Sequence, residues 1–92
     1  MHIRRQFPGR TDGEIFERVH DVMMHLAERF SLDYRRDEKT LSGRVSKMGV
    51  SGTYQVRGEE VVVDLKFPIL VPRSMREKVE EDIERKLDAL FS

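Results

Sequence analysis

Apolar positions recur along this chain with two periods, and the switches between them lay out its elements. Residues 1–7 alternate weakly, with Ile3 and Phe7 on one side, and predict a first strand ended by Pro8-Gly9. Thr11-Asp12-Gly13-Glu14 has the spacing of a capping box, a hydroxyl at the cap and a carboxylate three residues on. The helix it opens runs to about Phe30: Ile15, Val19, Val22, Leu26 and Phe30 fall at helical spacing, widened by Phe16, Met23 and Ala27. Met24 lies off this stripe as a single exposed apolar residue, which is ordinary.

The period then changes to two. Strands near 32–37, 40–45, 50–57 and 60–67 fall into one register if Glu38-Lys39 and Gly58-Glu59 are two-residue turns and 46–49 is a four-residue loop. Gly58, first in its pair, suits a type II′ turn. In that register Leu32, Val45, Val50 and Phe67 form one row, Tyr34, Gly43, Gly52 and Leu65 the next, and Arg36, Leu41, Tyr54 and Val63 a third. The opposite face reads Asp33, Arg44, Ser51, Lys66 and then Arg35, Ser42, Thr53, Asp64, with Asp33 opposite Arg44. A slip of one residue would bury those charges, so the polar face is the one left to solvent.

After Phe67 come Pro68-Ile69-Leu70-Val71-Pro72 and a second capping-box spacing, Ser74-Met75-Arg76-Glu77. The last helix carries Met75, Val79, Ile83, Leu87 and Leu90 on one side. Glu81–Arg85 and Asp82–Lys86 lie four apart on its outer side. The expectation is an α+β fold of order β-α-β-β-β-β-α, with a mostly antiparallel sheet and two amphipathic helices on one face. The first strand can flank either edge of the meander; the preference of a βα crossover for a parallel neighbour favours a place beside the second. Arg4, Arg5, Arg10, Arg35 and Arg36 would then gather into a basic patch, unless neighbouring acids simply balance them as surface charge.

Composition narrows the function. The 92 residues, 38% hydrophobic and 37% charged, make one thin domain over 1–92, small enough to gain from a partner or a homodimer. Seventeen basic residues against seventeen acidic ones argue against a dedicated nucleic-acid binder, which needs a basic surplus. Without cysteine there is no disulfide or thiolate metal site. No run approaches the roughly 20 apolar residues of a membrane span, and the N-terminus lacks the apolar core of a signal peptide, so a cytoplasmic home is expected.

Catalytic patterns are missing. His20 and His25 are five apart and diverge around a helix, and His2 is remote. Asp21 and His25 can pair, which is ordinary surface chemistry. Gly49-Val50-Ser51-Gly52 misses the nucleophile-elbow spacing, and the acidic run Glu80-Glu81-Asp82 with Glu84 lacks the alternation of a calcium loop. There is no phosphate loop, dinucleotide fingerprint or metal cluster, so no enzyme and no cofactor are expected.

Two apolar features remain. Gly43 and Gly52, cross-strand neighbours in the register above, leave a trough with Tyr34 beside it. It is either the floor of an acyl pocket or a gap that Tyr34 or a helix fills. Residues 67–71 are apolar on both parities and bounded by prolines. They either strap sheet to helix or present Phe67, Ile69, Leu70 and Val71 to a hydrophobic surface.

The chain as a whole resembles the polyhydroxyalkanoic acid system family, small proteins associated with bacterial storage-polyester granules. The matching features are His2-Ile3-Arg4-Arg5, the helix through His25-Leu26-Ala27-Glu28-Arg29-Phe30, the strand Gly49-Val50-Ser51-Gly52-Thr53-Tyr54-Gln55-Val56, and the apolar segment before Ile83-Glu84-Arg85-Lys86-Leu87-Asp88. None is a catalytic signature. The resemblance implies an association with polyester synthesis, use or the granule surface. It favours a non-enzymatic accessory protein that binds the granule surface or a granule protein through Phe67, Ile69, Leu70 and Val71. An acyl-ligand module with Gly43, Gly52 and Tyr34 as pocket floor is the alternative. A ribosome- or RNA-binding module is the third reading, disfavoured by the net charge of zero.

Overall fold

A computed structural model describes all residues, 1–92, and has the expected order: β1 (His2–Gln6), α1 (Asp12–Phe30), β2 (Asp33–Asp37), β3 (Ser42–Lys47), β4 (Val50–Arg57), β5 (Glu60–Lys66) and α2 (Arg73–Asp88). The five strands form one antiparallel sheet in the order β1-β5-β4-β3-β2. Both helices lie on one face. α1 crosses β2 to β5 and α2 lies over β1. Between them sits a single core that includes Ile15, Val19, Tyr54, Val63, Ile83 and Leu87.

Thr11 caps α1 as the sequence predicts: its hydroxyl accepts from the Glu14 amide, and its own amide donates to the Glu14 carboxylate. Bonds from Thr11, the backbone one first, lower the Glu14 carboxyl below its ordinary range. The second capping box does not form. α2 starts two residues earlier, behind Pro72, whose ring leaves no side chain to cap with. On α2 the Asp82–Lys86 pair forms at 2.9 Å, but Arg85 turns to Asp82 at 2.5 Å instead of to Glu81.

β1 does not lie beside β2. It runs parallel to β2 from the opposite edge, paired antiparallel with β5, so that buried Ile3 faces Val63. α1 therefore spans the whole sheet between them. The condition for a basic patch is therefore not met, and neighbouring acids balance most of its arginines. Arg4 pairs with Glu60 at 3.0 Å, Arg5 with Asp88 at 2.8 Å, and Arg36, on the far edge, with Glu17 and Glu38 at 2.9 and 2.7 Å.

The β4–β5 register is the expected one, Gly52 opposite Leu65 and Tyr54 opposite Val63, closed at Gly58 with φ 57°. The other two registers are shifted by two residues. Residues 38–41 form the four-residue loop, with the Asp37 carboxylate accepting from the Lys39 and Thr40 amides, and Met48-Gly49 is the two-residue turn. A shift of two keeps every side chain on its face. It also separates the glycines: Gly43 faces Tyr54, and Gly52 lies between Val45 and Leu65. On the open face Arg44 consequently lies opposite Arg35, while Asp33 faces Ser46.

Candidate docking surface

The space above each glycine is filled. A Cβ on Gly43 would overlap the Tyr54 ring, and one on Gly52 would come within 2.8 Å of Leu65 Cδ2 and 3.1 Å of Val45 Cγ2. The trough expected over Gly43 and Gly52 is thus absent, because the shifted register sets each glycine under a large side chain instead of beside the other. Tyr54, not Tyr34, covers Gly43. Tyr34 instead links two polar groups: its hydroxyl is 2.6 Å from that of Tyr54 and 2.8 Å from His20 Nδ1. Burial, the leading cause for both, raises the two phenol pKa values above 10.0, that of Tyr54 far above. The other histidines are also engaged. The His25 ring bonds the Asp21 backbone carbonyl at 2.7 Å, not its carboxylate, and His2 pairs with Asp64. No group of three or more histidine, aspartate or glutamate side chains could hold a metal ion.

The segment 67–71 divides between inside and outside. Phe67 is half-buried against the core, and Val71 is half-buried with its carbonyl accepting from Arg76 Nε at 3.2 Å. Between them the Val71 amide donates to the Pro68 carbonyl at 3.0 Å, closing a turn with Ile69 and Leu70 at its apex. Those two side chains are 91% and 90% exposed.

The β3–β4 turn lies beside this apex, since a Cβ on Gly49 would stand 2.9 Å from Pro68 Cγ. That turn has positive φ at both central residues, 49° at Met48 and 87° at Gly49. Its first position favours asparagine, aspartate or glycine, and here it carries a methionine that is 88% exposed. Neighbouring ends add to the patch. Met1 bonds Leu65 next to the end of β5, Phe30 closes α1 just before β2, and Met75 opens α2. The last two, half-exposed, share a hollow of about 450 Å³ between the helices with Leu26 and Val79.

Of the seven large apolar side chains left exposed, all but Met24 lie at this end of the sheet. Helical periodicity assigns Phe30 and Met75 to the core, but a hollow opens between the helices here and leaves both half-exposed. Met48 carried a signal that went unused: a two-residue turn ending in glycine presents its first residue to solvent.

The family model described as "Putative polyhydroxyalkanoic acid system protein" matches residues 1–91. The chain belongs to that family. It is therefore a protein of the polyhydroxyalkanoate system. No curated protein and no solved structure matches it. No helix is long and apolar enough to cross a membrane.

Proposed function

We propose that this chain is a non-enzymatic accessory protein that seats its apolar end on the polyester surface of cytoplasmic polyhydroxyalkanoate granules. The observation that carries the reading is the apex of the 68–71 turn, where Ile69 and Leu70 stand almost free of the protein, while Gly49 of the Met48-Gly49 turn lies against Pro68. Burying a leucine or isoleucine side chain is worth about 1.5–3 kcal/mol, so the two together supply roughly 3–6 kcal/mol on an apolar surface. Phe67 and Val71 act from behind, anchoring the turn to the core. The family context supplies the surface: a polymer whose exposed groups are alkyl chains and esters rewards apolar insertion more than charge.

The test is co-sedimentation with purified granules. Ile69→Asp/Leu70→Asp, with its fold checked by circular dichroism, should lower affinity by about 100-fold or more. Equal retention of the folded double variant would remove this turn from the mechanism. Protein-stripped granules separate the occupants: binding that survives stripping is to polyester, and binding that disappears is to a granule protein. A dimer in sedimentation equilibrium that Ile69→Asp/Leu70→Asp dissociates would assign the apolar end to a second copy instead.

A further inference from the structure

The open face of the sheet holds a pair of cations that the fold does not use. Arg35 on β2 and Arg44 on β3 are direct cross-strand neighbours, both exposed. Like charges placed directly opposite each other destabilise a sheet. Arg4, Arg5, Arg10, Arg36, Arg73 and Arg85 have a carboxylate partner, Arg18 and Arg29 lie over phenylalanine rings, and Arg76 bonds a backbone carbonyl. Arg35 and Arg44 have none within 4.0 Å, and neither donates a side-chain hydrogen bond. Of the acids on this face, Asp33 lines a hollow with both arginines but bonds neither, and two others are engaged elsewhere. Asp64 is held by His2, and Asp37 accepts the amides of the 38–41 loop.

The surroundings define what would fit. Arg35 and Arg44 together line a shallow hollow of about 390 Å³ on this face, and Arg44 also borders the two hollows beside it. Thr53 follows Arg44 across the sheet, and the Ser46–Ser51 pair lies one row toward the apolar end, next to Lys66. Hydroxyl-bearing residues therefore share this face with the two arginines, whose guanidinium forks match the two oxygens of a carboxylate. Asp33, Asp37 and Asp64 bound the cluster, so a second negative charge, or a strand of phosphates, would meet repulsion on either side. The site is one anion wide.

We propose that the Arg35–Arg44 pair binds the carboxylate of a hydroxyalkanoate, with Thr53 and Ser46 placed to meet its hydroxyl. The ligand class rests on the polyester reading above, while the geometry of the site is independent of it. Arg44 lies four residues inward from Met48 at the turn end, roughly 13 Å along the strand.

The test is an NMR titration of isotopically labelled protein with 3-hydroxybutanoate at constant ionic strength. Saturable shifts should map to β2, β3 and β4 around the pair, with a dissociation constant of about 1–10 mM. Arg35→Gln and Arg44→Gln should each weaken binding about ten-fold, and Arg44→Lys, which keeps the charge but loses the fork, by less. Both Gln variants should melt at the same temperature as wild type or higher, because each removes a repulsion. Shifts that never saturate, or that persist in Arg44→Gln, would overturn the proposal. So would equal binding of the uncharged methyl ester, inorganic phosphate binding more than ten-fold tighter, or a loss of stability in the Gln variants. The titration uses dissolved monomer, and Ile69→Asp/Leu70→Asp should bind it as wild type does, so the two proposals fail separately.

Discussion

The two ends of the sheet treat their apolar side chains in opposite ways. At one end Phe7 and Phe91 meet edge to face at 5.4 Å, and the guanidinium groups of Arg10 and Arg18 lie over the Phe91 ring at 4.4 and 5.5 Å. The backbone is tied down as well: the Phe7 amide donates to the Glu59 carbonyl at 2.7 Å, and the Glu59 carboxylate accepts from the Gly9 amide. The turns there, at Pro8-Gly9, 38–41 and 58–59, are mostly polar. At the other end Met48, Ile69 and Leu70 stand in solvent, and the one cation–π contact is Arg29 over Phe30 at 5.4 Å. The same chain therefore holds the chemistry to cover apolar surface and applies it mostly at one end. Apolar groups gathered and left bare beside covered ones mark a surface meant for something else.

Stability measurements can break this contrast. Phe91→Ala at the covered end should cost about 2 kcal/mol, less than the 3–5 kcal/mol of a fully buried phenylalanine, and lower the melting temperature by roughly 10 °C. Granule retention of the folded protein should not change. Ile69→Ser and Leu70→Ser should alter stability by no more than about 0.5 kcal/mol each in urea unfolding. If the serine variants lose as much stability as Phe91→Ala, the bare end is part of the fold and the contrast falls.

The boundary between the two ends is sharpened by alkali. Tyr54 is buried in the middle of the sheet with its hydroxyl on Tyr34, and both phenols ionise less readily in the fold than the ordinary 10.0. The stability carried by the neutral phenols is fully present below pH 10. It is lost as pH rises above 10, where the unfolded chain gives up protons that the folded chain keeps. Each pH unit over which Tyr54 alone stays protonated should lower stability by about 1.4 kcal/mol. Urea midpoints above pH 10 measure this, and Tyr54→Phe should flatten the dependence. A midpoint independent of pH would show that water reaches the pair, and the core would then be open well inside the apolar end.

Which parts of this were legible in the sequence follows from what each signal can distinguish. Alternation assigns faces, and Gly58 fixes the β4–β5 turn, so the polar and apolar faces and that register could be read directly. It cannot tell loops of two and four residues, in that order, from loops of four and two, because both keep every side chain on its side. Packing decides between them: Tyr54 over Gly43 and Leu65 over Gly52 fill the space that the other arrangement leaves empty. The placement of β1 rests on Ile3 meeting Val63, a contact across sixty residues that no local pattern encodes. For the candidate surface, prolines and apolar residues on both parities marked 67–71. Phe30, Met48 and Met75 join it only because a hollow is left between the two helices and a turn comes to rest against Pro68. The unpaired Arg35–Arg44 contact depends on the register that alternation left open.

The smallest expected effect reads the contrast at a single residue. Met48 takes a left-handed backbone conformation that disfavours a side chain of its kind by about 1 kcal/mol, and its own side chain is 88% exposed, so little packing offsets that cost. Asparagine is the residue this turn prefers before glycine. Met48→Asn should therefore stabilise the fold by about 1 kcal/mol in urea unfolding while weakening granule retention several-fold. That combination would mean the bare end is kept apolar at a cost in stability, as expected of a surface shaped for a partner. A variant that gains stability and keeps full retention would shrink the seat to Ile69 and Leu70. One that loses stability would mean that Met48 is held by contacts of its own, and the bare end would then resemble the covered one more closely than its exposure suggests.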